Sequence, residues 1–263
     1  MRNPHSPLVY DLSGRTALVT GASSGLGARM AKVLAAHGAK VGLAARRTDR
    51  LDALKAEIED HGGTAHAVEL DVAHEDQVIR AFDAVEEALG PVDTVLANAG
   101  LARDRGRSTD NPPKDFDITY DVNMKGVFLT AREGAKRMIA AGSKDTGRGR
   151  IVLTSSILAT KVFPNMAFYA ASKAAVSHMG RVLALDWSRV GVNVNMIAPG
   201  YIHTEINDAM VGTEYGDALL SRFPRRRMAS ADALDPAVLW LCSDHSAQIT
   251  GTVVTVDDGQ SLG

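Results

Sequence analysis

Short apolar segments alternate with longer segments of helical periodicity along the whole of this 263-residue chain. The seven apolar segments are Thr16–Thr20, Lys40–Ala45, 65–70, 92–97, 151–154, 192–197 and 252–256. The helical segments are Gly25–Ala36, 50–61, Glu75–Leu89, 116–140, 168–189 and 232–242. Strands that are apolar throughout are typical of a parallel sheet with helices on both faces. The alternation therefore predicts an α/β fold, with one doubly wound domain over 1–263 and a seven-stranded parallel sheet.

Composition and charge exclude several classes of protein. The formal net charge of -2 and the pI near 6.4 provide no overall attraction to nucleic acid or to an anionic membrane, so we expect a small-molecule partner. One cysteine, Cys242, excludes an intramolecular disulfide framework and fits a reducing compartment. No apolar stretch reaches 18 residues, and the segment 1–7 lacks the apolar run of a signal peptide. We expect a cytoplasmic protein with a flexible tail over 1–10.

A glycine-rich turn directly follows the first predicted strand. Gly21, Gly25 and Gly27 have the spacing G-x3-G-x-G, which departs from the G-x-G-x-x-G dinucleotide fingerprint. The context supplies the stronger signal, because a strand runs into the turn and a helix follows. That arrangement presents backbone N–H groups and a helix N-terminus to a pyrophosphate. A tight turn without a ligand is the alternative. The predicted contacts are Gly21, Ser23, Ser24, Gly25, Leu26 and Gly27.

The end of the second predicted strand indicates which dinucleotide is bound. A site that prefers NAD usually has an acidic residue there, which binds the ribose 2'-hydroxyl. This chain has Ala45 followed by Arg46 and Arg47, and Asp49 belongs to the start of the next helix. A guanidinium can bind a 2'-phosphate through paired, charge-assisted hydrogen bonds. We therefore predict NADP(H) rather than NAD(H), with Arg46 and Arg47 as the contacts.

A tyrosine and a lysine four residues apart, Tyr169 and Lys173, lie in the predicted helix 168–189, thirteen residues after Ser156. Residues at this spacing project from one helix face, so the ammonium can act on the phenol. At about 4 Å and an effective dielectric constant of about 20, it favours the phenolate by about 4 kcal/mol. That energy equals about 3 pK units, so Tyr169 is predicted to titrate near neutral pH and to act in general acid–base catalysis. The eight histidines form no zinc-binding motif, and we expect no metal.

These motifs together resemble the short-chain dehydrogenase/reductase family, in its compact branch, over almost the whole chain. The resemblance rests on the TGxxxGxG turn at 20–27, Asp71-Val72, Ala97-Asn98-Ala99-Gly100, Asn123, Ser156, the YxxxK helix and Pro199-Gly200. It implies a Rossmann-like fold and an NAD(P)-dependent oxidoreductase. It also implies a homo-oligomer, either a dimer or a tetramer, formed through the helices 116–140 and 168–189.

The resemblance further implies how the rest of the dinucleotide is held. Asp71 would contact the adenine amino group, with Val72 packed nearby. Ala97 stands where the family usually has asparagine, and its predicted place in a buried strand indicates a change in packing rather than in chemistry. The residues expected along the ribose are Asn98, Ala99 and Gly100. Those expected at the nicotinamide are Pro199, Gly200, the backbone of Ile202 and the hydroxyl of Thr204.

The catalytic roles also follow from the resemblance. Tyr169 would donate a proton to the forming alkoxide, and Ser156 would hydrogen-bond the same oxygen. Ser155 competes for that role, but the family's spacing to the tyrosine selects Ser156. Lys173 would lower the pKa of Tyr169 and bind the nicotinamide ribose. Asn123 would fix a helix irregularity and a water that relays protons to Lys173.

The predicted substrate wall is apolar, which favours a bulky ketone or secondary alcohol and hence a carbonyl reductase or alcohol dehydrogenase. Its expected members are Ile157, Leu158, Val162, Phe163, Met166, Met210, Leu219 and Phe223. The segment 201–227 is expected to close over the substrate as a lid. Two alternatives stay open. One is reduction of a 3-oxoacyl thioester on a carrier protein that docks on Arg103, Arg105, Arg225, Arg226 and Arg227; the other is a dinucleotide-binding sensor or scaffold without turnover.

Overall fold

The computed structural model describes residues 9–204, 207 and 211–262. Its strands form one parallel sheet in the order β3-β2-β1-β4-β5-β6-β7. The strands are β1 Thr16–Thr20, β2 Lys40–Ala45, β3 Thr64–Glu69, β4 Thr94–Ala97, β5 Gly149–Thr154, β6 Val192–Pro199 and β7 Val253–Val256. The predicted doubly wound, seven-stranded α/β architecture is therefore confirmed. Most of the segment predicted to be a flexible tail, 1–10, lies outside the described residues.

Helices cover both faces of the sheet. They are α1 Gly25–Ala36, α2 Thr48–Asp60, α3 Glu75–Leu89, α4 Pro113–Tyr120, α5 Val127–Ala140, α6 Ser143–Thr146, α7 Ala167–Trp187, α8 Glu214–Leu220 and α9 Asp235–Cys242. Val19 of β1 belongs to the core that contains Leu34 of α1. The preceding residue, Leu18, belongs to a second core with Phe82 of α3 and Val176 of α7. Successive side chains of a strand point to opposite faces, so the two cores lie on either side of the sheet.

The strands β1 and β4 are neighbours although β2 and β3 separate them in the chain. Ala17 pairs with Thr94, and Leu18 pairs with Val95. The strands β2 and β3 are added in turn on one side of β1, and β4 is then added on the other side. In a doubly wound sheet, a reversal of this kind opens a crevice beyond the carboxyl ends of the strands. The fold therefore places a crevice between the segments that follow β1 and β4.

The segment 116–140, predicted as one helix, differs from the prediction. The helix begins earlier, at Pro113, and one turn of π-helix, Asp121–Gly126, separates α4 from α5. A π-helical turn holds an extra residue, which rotates the side chains on either side of it relative to each other. Gly126 lies so close to the segment after β3 that a Cβ atom there would be 2.5 Å from Val72 Cγ2. A tertiary contact therefore accompanies this irregularity.

Glycines and polar residues predict an exposed loop over 142–149, but the segment is partly helical and partly buried. Ser143 begins the single turn of α6 and is only 4% exposed. Its hydroxyl donates a hydrogen bond of 2.6 Å to the carbonyl of Val190. Its carbonyl lies against Gly191, where a Cβ atom would come within 1.9 Å of it. The prediction misses the burial of Ser143, which is bonded to the chain that precedes β6, whereas residues 144–147 are exposed as expected.

Charged side chains cluster at the amino ends of β1, β4 and β5. Arg15 is 2% exposed, and its guanidinium lies 2.5 Å from Asp244 and 3.5 Å from Asp93. It also donates a hydrogen bond to Thr94 Oγ1 at 3.3 Å. Burial, followed by the charge of Arg15, lowers the pKa of Arg150 to about 10. The buried cation of Arg15 therefore joins the first strand to the segments that surround it.

Replacing Arg15 with methionine is expected to lower the free energy of unfolding by about 2 kcal/mol. Removing one partner of a buried ion pair typically costs about 3 to 5 kcal/mol, and partial solvation of the two carboxylates reduces that cost here. Urea denaturation followed by circular dichroism measures the change. Arg80→Met is the matched control, because Arg80 pairs with Asp76 on an exposed helix surface. Equal stability of the two variants would contradict a role for the cluster.

Candidate active site

A cavity of about 440 Å³ opens at the carboxyl ends of the central strands. This volume lies within the range of small-molecule sites. The predicted site residues that line it are Gly21, Ser23, Ser24, Gly25, Leu26, Gly27, Arg46, Arg47, Asp71, Val72, Asn98, Ala99, Gly100, Ser156, Tyr169, Lys173, Pro199, Gly200, Ile202 and Thr204. Asn123 lies behind this wall. The fold therefore brings segments that are far apart in the chain to one cavity.

The glycine-rich turn packs against the segment after β4. Gly21 has a φ of +68°, and a Cβ atom there would lie 2.9 Å from Ala99 Cα. A Cβ atom on Gly27 would lie 2.3 Å from the carbonyl oxygen of Gly21. Larger residues would therefore push α1 away from the turn. The close packing keeps the N-terminus of α1 at the cavity, where its N–H groups and dipole favour a phosphate.

Thr20 fixes the segment 98–100 that borders the other side of the turn. Its hydroxyl accepts hydrogen bonds from the backbone N–H groups of Asn98, at 3.0 Å, and Ala99, at 3.1 Å. The Asn98 side chain donates in return to the carbonyl of Thr20 at 3.0 Å. These bonds hold the ends of β1 and β4 together. Thr20 was not among the predicted site residues, although its place as the last residue of a strand was a usable signal.

Two arginines border the cavity beyond the end of β2. Arg47 donates hydrogen bonds of 2.9 and 2.7 Å to the hydroxyls of Ser23 and Ser24. Arg46 is largely exposed and lies 4.0 Å from an oxygen of Asp71. Asp49 lies in the first turn of α2, as predicted. The cavity thus meets two guanidinium groups at the position where an NAD site usually has a carboxylate, and this suits a 2'-phosphate.

Tyr169 and Ser156 meet inside the cavity. Tyr169 lies in the first turn of α7, Ser156 follows β5, and both side chains line the cavity, where the Ser156 hydroxyl is near enough to the phenol to affect its pKa. The Ser156 hydroxyl also accepts a hydrogen bond of 3.1 Å from the backbone N–H of Leu158. Burial raises the pKa of Tyr169, and the hydroxyl of Ser156 lowers it to a smaller extent. The phenol is therefore protonated at neutral pH.

Lys173 lies one helical turn beyond Tyr169, with its ammonium 5.6 Å from the centre of the phenol ring. It donates a hydrogen bond of 2.7 Å to the carbonyl of Thr154, and burial lowers its pKa to about 8. The net shift in the pKa of Tyr169 is upward in this structure, so burial outweighs any effect of the Lys173 ammonium. Lys173 is 2% exposed and Tyr169 is partly buried, and desolvation disfavours the charged form of each. The prediction that Tyr169 titrates near neutral pH applied a dielectric constant typical of the protein surface and left out that cost.

Asn123 lies in the π-helical turn and is fully buried. Its side-chain oxygen accepts a hydrogen bond from the backbone N–H of Leu101, and its amide donates to the carbonyl of Leu101, both at 2.8 Å. The amide also donates to the hydroxyl of Ser172 at 3.0 Å. Ser172 precedes Lys173 in α7. Asn123 therefore connects the helix irregularity, as expected, to the cavity loop and to the helix that carries Tyr169.

The substrate side of the cavity differs in part from the predicted wall. Leu158 and Met166 line the cavity, together with Tyr201 and Asn207 of the segment predicted to close over the substrate. Val162 is 92% exposed and cannot form part of a wall. Ile157, Leu219 and Phe223 are buried but do not line the cavity. Met210 and the lid residues 205, 206, 208 and 209 lie outside the described residues.

The two ends of the segment 201–227 are joined through the residues that follow it. The backbone N–H of Ala229 donates to the carbonyl of Tyr201 at 2.9 Å, and the N–H of His203 donates to the carbonyl of Ala229 at 3.0 Å. The side chain of Gln260 accepts a hydrogen bond from the N–H of Tyr201 at 2.6 Å and donates to the carbonyl of Arg227 at 3.3 Å. The segment therefore leaves the sheet and returns to it at one place beside the cavity.

Two further properties concern the described ranges alone. Within 9–204, 207 and 211–262, no three histidine, cysteine or acidic side chains are grouped closely enough to hold a metal ion. Over the same residues, no helix combines the length and the apolar character needed to cross a membrane.

Comparison with known proteins shows which protein family this chain resembles. A family model described as enoyl-(acyl carrier protein) reductase matches residues 21–261. Gluconate 5-dehydrogenase from Gluconobacter oxydans is 37% identical over 254 residues, which are 96% of this chain and 97% of that protein. A short-chain type dehydrogenase/reductase from Picea abies is 34% identical over 257 residues, covering 95% and 93% of the two chains.

A solved structure agrees with this grouping. The gluconate 5-dehydrogenase of Burkholderia cenocepacia, crystallised with NADP and tartrate, is 34% identical and superimposes with a TM-score of 0.89. The match covers 97% of this chain and 98% of that one. With the seven-stranded sheet, the glycine-rich turn and the Ser156–Tyr169–Lys173 site, these matches show that the chain belongs to the short-chain dehydrogenase/reductase family of oxidoreductases.

Proposed function

We propose that this protein transfers a hydride between NADP(H) and the carbon of a ketone or secondary alcohol, as a carbonyl reductase or alcohol dehydrogenase. The observation that carries the proposal is that Tyr169, Ser156 and Lys173 line the same cavity as the glycine-rich turn. A turn that only bound a phosphate would not require a tyrosine hydroxyl in the same cavity. The pairing of the two features points to chemistry on a bound substrate rather than to binding alone.

The choice of NADP(H) rests on Arg46 and Arg47 and on the NADP that the related Burkholderia enzyme binds. The N-terminus of α1 would hold the pyrophosphate, and the two arginines would hold the 2'-phosphate. Asp71 and Val72 would contact the adenine. The residues proposed along the ribose and the nicotinamide are Asn98, Ala99, Gly100, Lys173, Pro199, Gly200, Ile202 and Thr204. When bound, NADPH supplies the hydride that reduces the carbonyl carbon.

Tyr169 and Ser156 would act on the carbonyl oxygen. The Ser156 hydroxyl orients that oxygen beside the phenol, and Tyr169 donates its proton as negative charge develops. The phenol is protonated at neutral pH and therefore carries the proton that the forming alkoxide receives. Lys173, with a pKa of about 8, is mostly charged at pH 7, and its cation stabilises the phenolate that remains. Asn123 holds Leu101 and Ser172, and we assign to it the proton relay toward Lys173.

The proposed substrate is a bulky, apolar ketone or secondary alcohol. The support is the lining by Leu158 and Met166 on the side of the cavity next to Ser156. Reduction of a 3-oxoacyl thioester on a carrier protein has less support. Arg105 pairs with Asp115 at 2.8 Å, and Arg225 and Arg227 both pair with Asp258, at 3.2 and 2.7 Å. Three of the five arginines proposed for carrier docking are thus paired with two carboxylates of the chain.

The proposed assembly is a homodimer or homotetramer in the cytoplasm. The support is an apolar strip on the outer face of α7, where Val182 is 45% exposed and Leu185 is 76% exposed. Positions three apart on a helix lie on the same face. A second copy of the chain would cover these side chains.

Tyr169→Phe is expected to lower kcat about 1000-fold, within the range of about 100- to 10000-fold for loss of a general acid. The affinity for NADPH should stay within about twofold, because the ring is retained. Loss of NADPH absorbance across a panel of bulky ketones measures kcat, and fluorescence titration measures affinity. Tyr120→Phe is the matched control, since Tyr120 stacks on Phe116 outside the cavity. Absence of turnover in both the unsubstituted protein and the variant, with tight NADPH binding, would support the sensor or scaffold.

The double variant Arg46→Ala/Arg47→Ala is expected to reduce the preference for NADPH over NADH about 10- to 100-fold. Charge-assisted hydrogen bonds contribute about 1.5 to 3 kcal/mol, and only NADPH has the phosphate that receives them. The ratio of kcat/KM for the two cofactors measures the effect, and Arg80→Ala serves as an exposed control. An unchanged ratio would contradict the assignment of these arginines.

The phenol of Tyr169 is expected to titrate only above pH 10. Burial raises its pKa above the ordinary value of about 10, so the protonated form persists through the neutral range. The phenolate absorbance of the unsubstituted protein minus that of Tyr169→Phe measures this titration without any substrate. A difference signal already at about pH 7 to 8 would contradict the dominance of burial and would favour the ammonium effect of Lys173.

A further inference from the structure

The N-terminus of α7, which carries Tyr169, has an unusual cap. The residue before the helix is Met166, whose side chain makes no capping hydrogen bond. The first N–H groups of a helix have no partner inside it, and a side-chain oxygen usually serves those of its second and third residues. In α7 those residues are Phe168 and Tyr169. The catalytic tyrosine is therefore itself one of the residues that need an external partner.

Asp104 supplies that partner from another part of the chain. One oxygen of its carboxylate accepts the backbone N–H of Phe168 at 2.9 Å, and the other accepts the N–H of Tyr169 at 3.1 Å. The two bonds span 64 and 65 residues of sequence. Both oxygens are used, and a negative charge at a helix N-terminus is favourable. This carboxylate does the work of an N-cap for the catalytic helix.

The loop that holds Asp104 is anchored on both sides. Before it, Leu101 exchanges two hydrogen bonds of 2.8 Å with the buried side chain of Asn123. After it, the backbone N–H of Arg105 donates to Asn111 Oδ1 at 2.7 Å, and the guanidinium lies 2.8 Å from Asp115. The carboxylate thus extends from a fixed loop that directly follows the cavity residue Gly100.

We propose that Asp104 is a positioning residue for the reduction, and this inference rests on the proposed function. It holds the first turn of α7 in place, and with it the phenol of Tyr169, against the loop that borders the cavity. The phenol's position relative to Ser156 then depends on a carboxylate that touches neither substrate nor cofactor. Displacement of a catalytic group by about 1 Å can cost about 100-fold in rate.

The test compares Asp104→Ala with Asp104→Asn and with Asp110→Ala, an exposed aspartate of the same loop. Asp104→Ala is expected to lower kcat about 10- to 100-fold, with the Kd for NADPH within about twofold of the unsubstituted protein. Asp104→Asn keeps one acceptor oxygen and should show an intermediate loss. Asp110→Ala should leave kcat and Kd unchanged. Amide hydrogen exchange should become faster at Phe168 and Tyr169 in Asp104→Ala and to a lesser degree in Asp104→Asn.

The exchange measurement separates this inference from the proposed function. Absence of turnover in the unsubstituted protein would contradict the proposed function, whereas unchanged exchange at Phe168 and Tyr169 in Asp104→Ala would overturn the role of Asp104. A kcat within twofold of the unsubstituted value would also overturn it. So would parallel losses of kcat and NADPH affinity, since Asp104 would then support the loop as a whole. If Asp104→Ala does not fold, Asp104→Asn gives the same two readouts.

Discussion

The close approach of β1 and β4 at their carboxyl ends is the constraint on which the candidate site depends. The hydroxyl of Thr20 holds the N–H groups of Asn98 and Ala99, and Gly21 packs on Ala99 where a Cβ atom would not fit. This contact aims the N-terminus of α1 at the cavity and places Gly100 against Lys173, whose ammonium would lie 3.3 Å from a Cβ at that glycine. The phosphate-binding and proton-transferring halves of the site thus share one boundary.

Burial determines the electrostatics of the catalytic pair. An ammonium near a phenol favours the phenolate in water, but Tyr169 and Lys173 are both withdrawn from water. Desolvation therefore raises the pKa of the phenol and lowers that of the ammonium. Each of the two groups therefore favours its neutral form more than the same group would on the protein surface. The phenol therefore keeps its proton at neutral pH, as proton donation to a substrate oxygen requires.

Much of the fold and of the cavity could be predicted from the sequence, because these parts depend on local residue patterns. β1 and β2 have the predicted bounds, since uninterrupted apolar runs favour buried parallel strands. Tertiary contacts decided the rest. The π-helical turn at Asn123 accompanies the contact of Gly126 with Val72, and residue spacing places Lys173 beside Tyr169 without giving the cost of desolvation. The cap on α7 had no local signal, because Met166 precedes the helix and the carboxylate comes from the loop after β4.

The N-termini of α1 and α7 both lie at this cavity, and their first N–H groups differ in whether a side chain caps them. Ser24, before α1, makes no side-chain capping bond, and its hydroxyl instead accepts a hydrogen bond from Arg47. The first turn of α1 then presents its N–H groups and a neighbouring guanidinium to an anion, as a dinucleotide phosphate requires. At α7 the carboxylate of Asp104 occupies the equivalent groups, so these N–H groups are not available to a bound anion. The difference in capping separates the proposed anion-binding end of the cavity from the end where Tyr169 is proposed to donate a proton to a forming alkoxide.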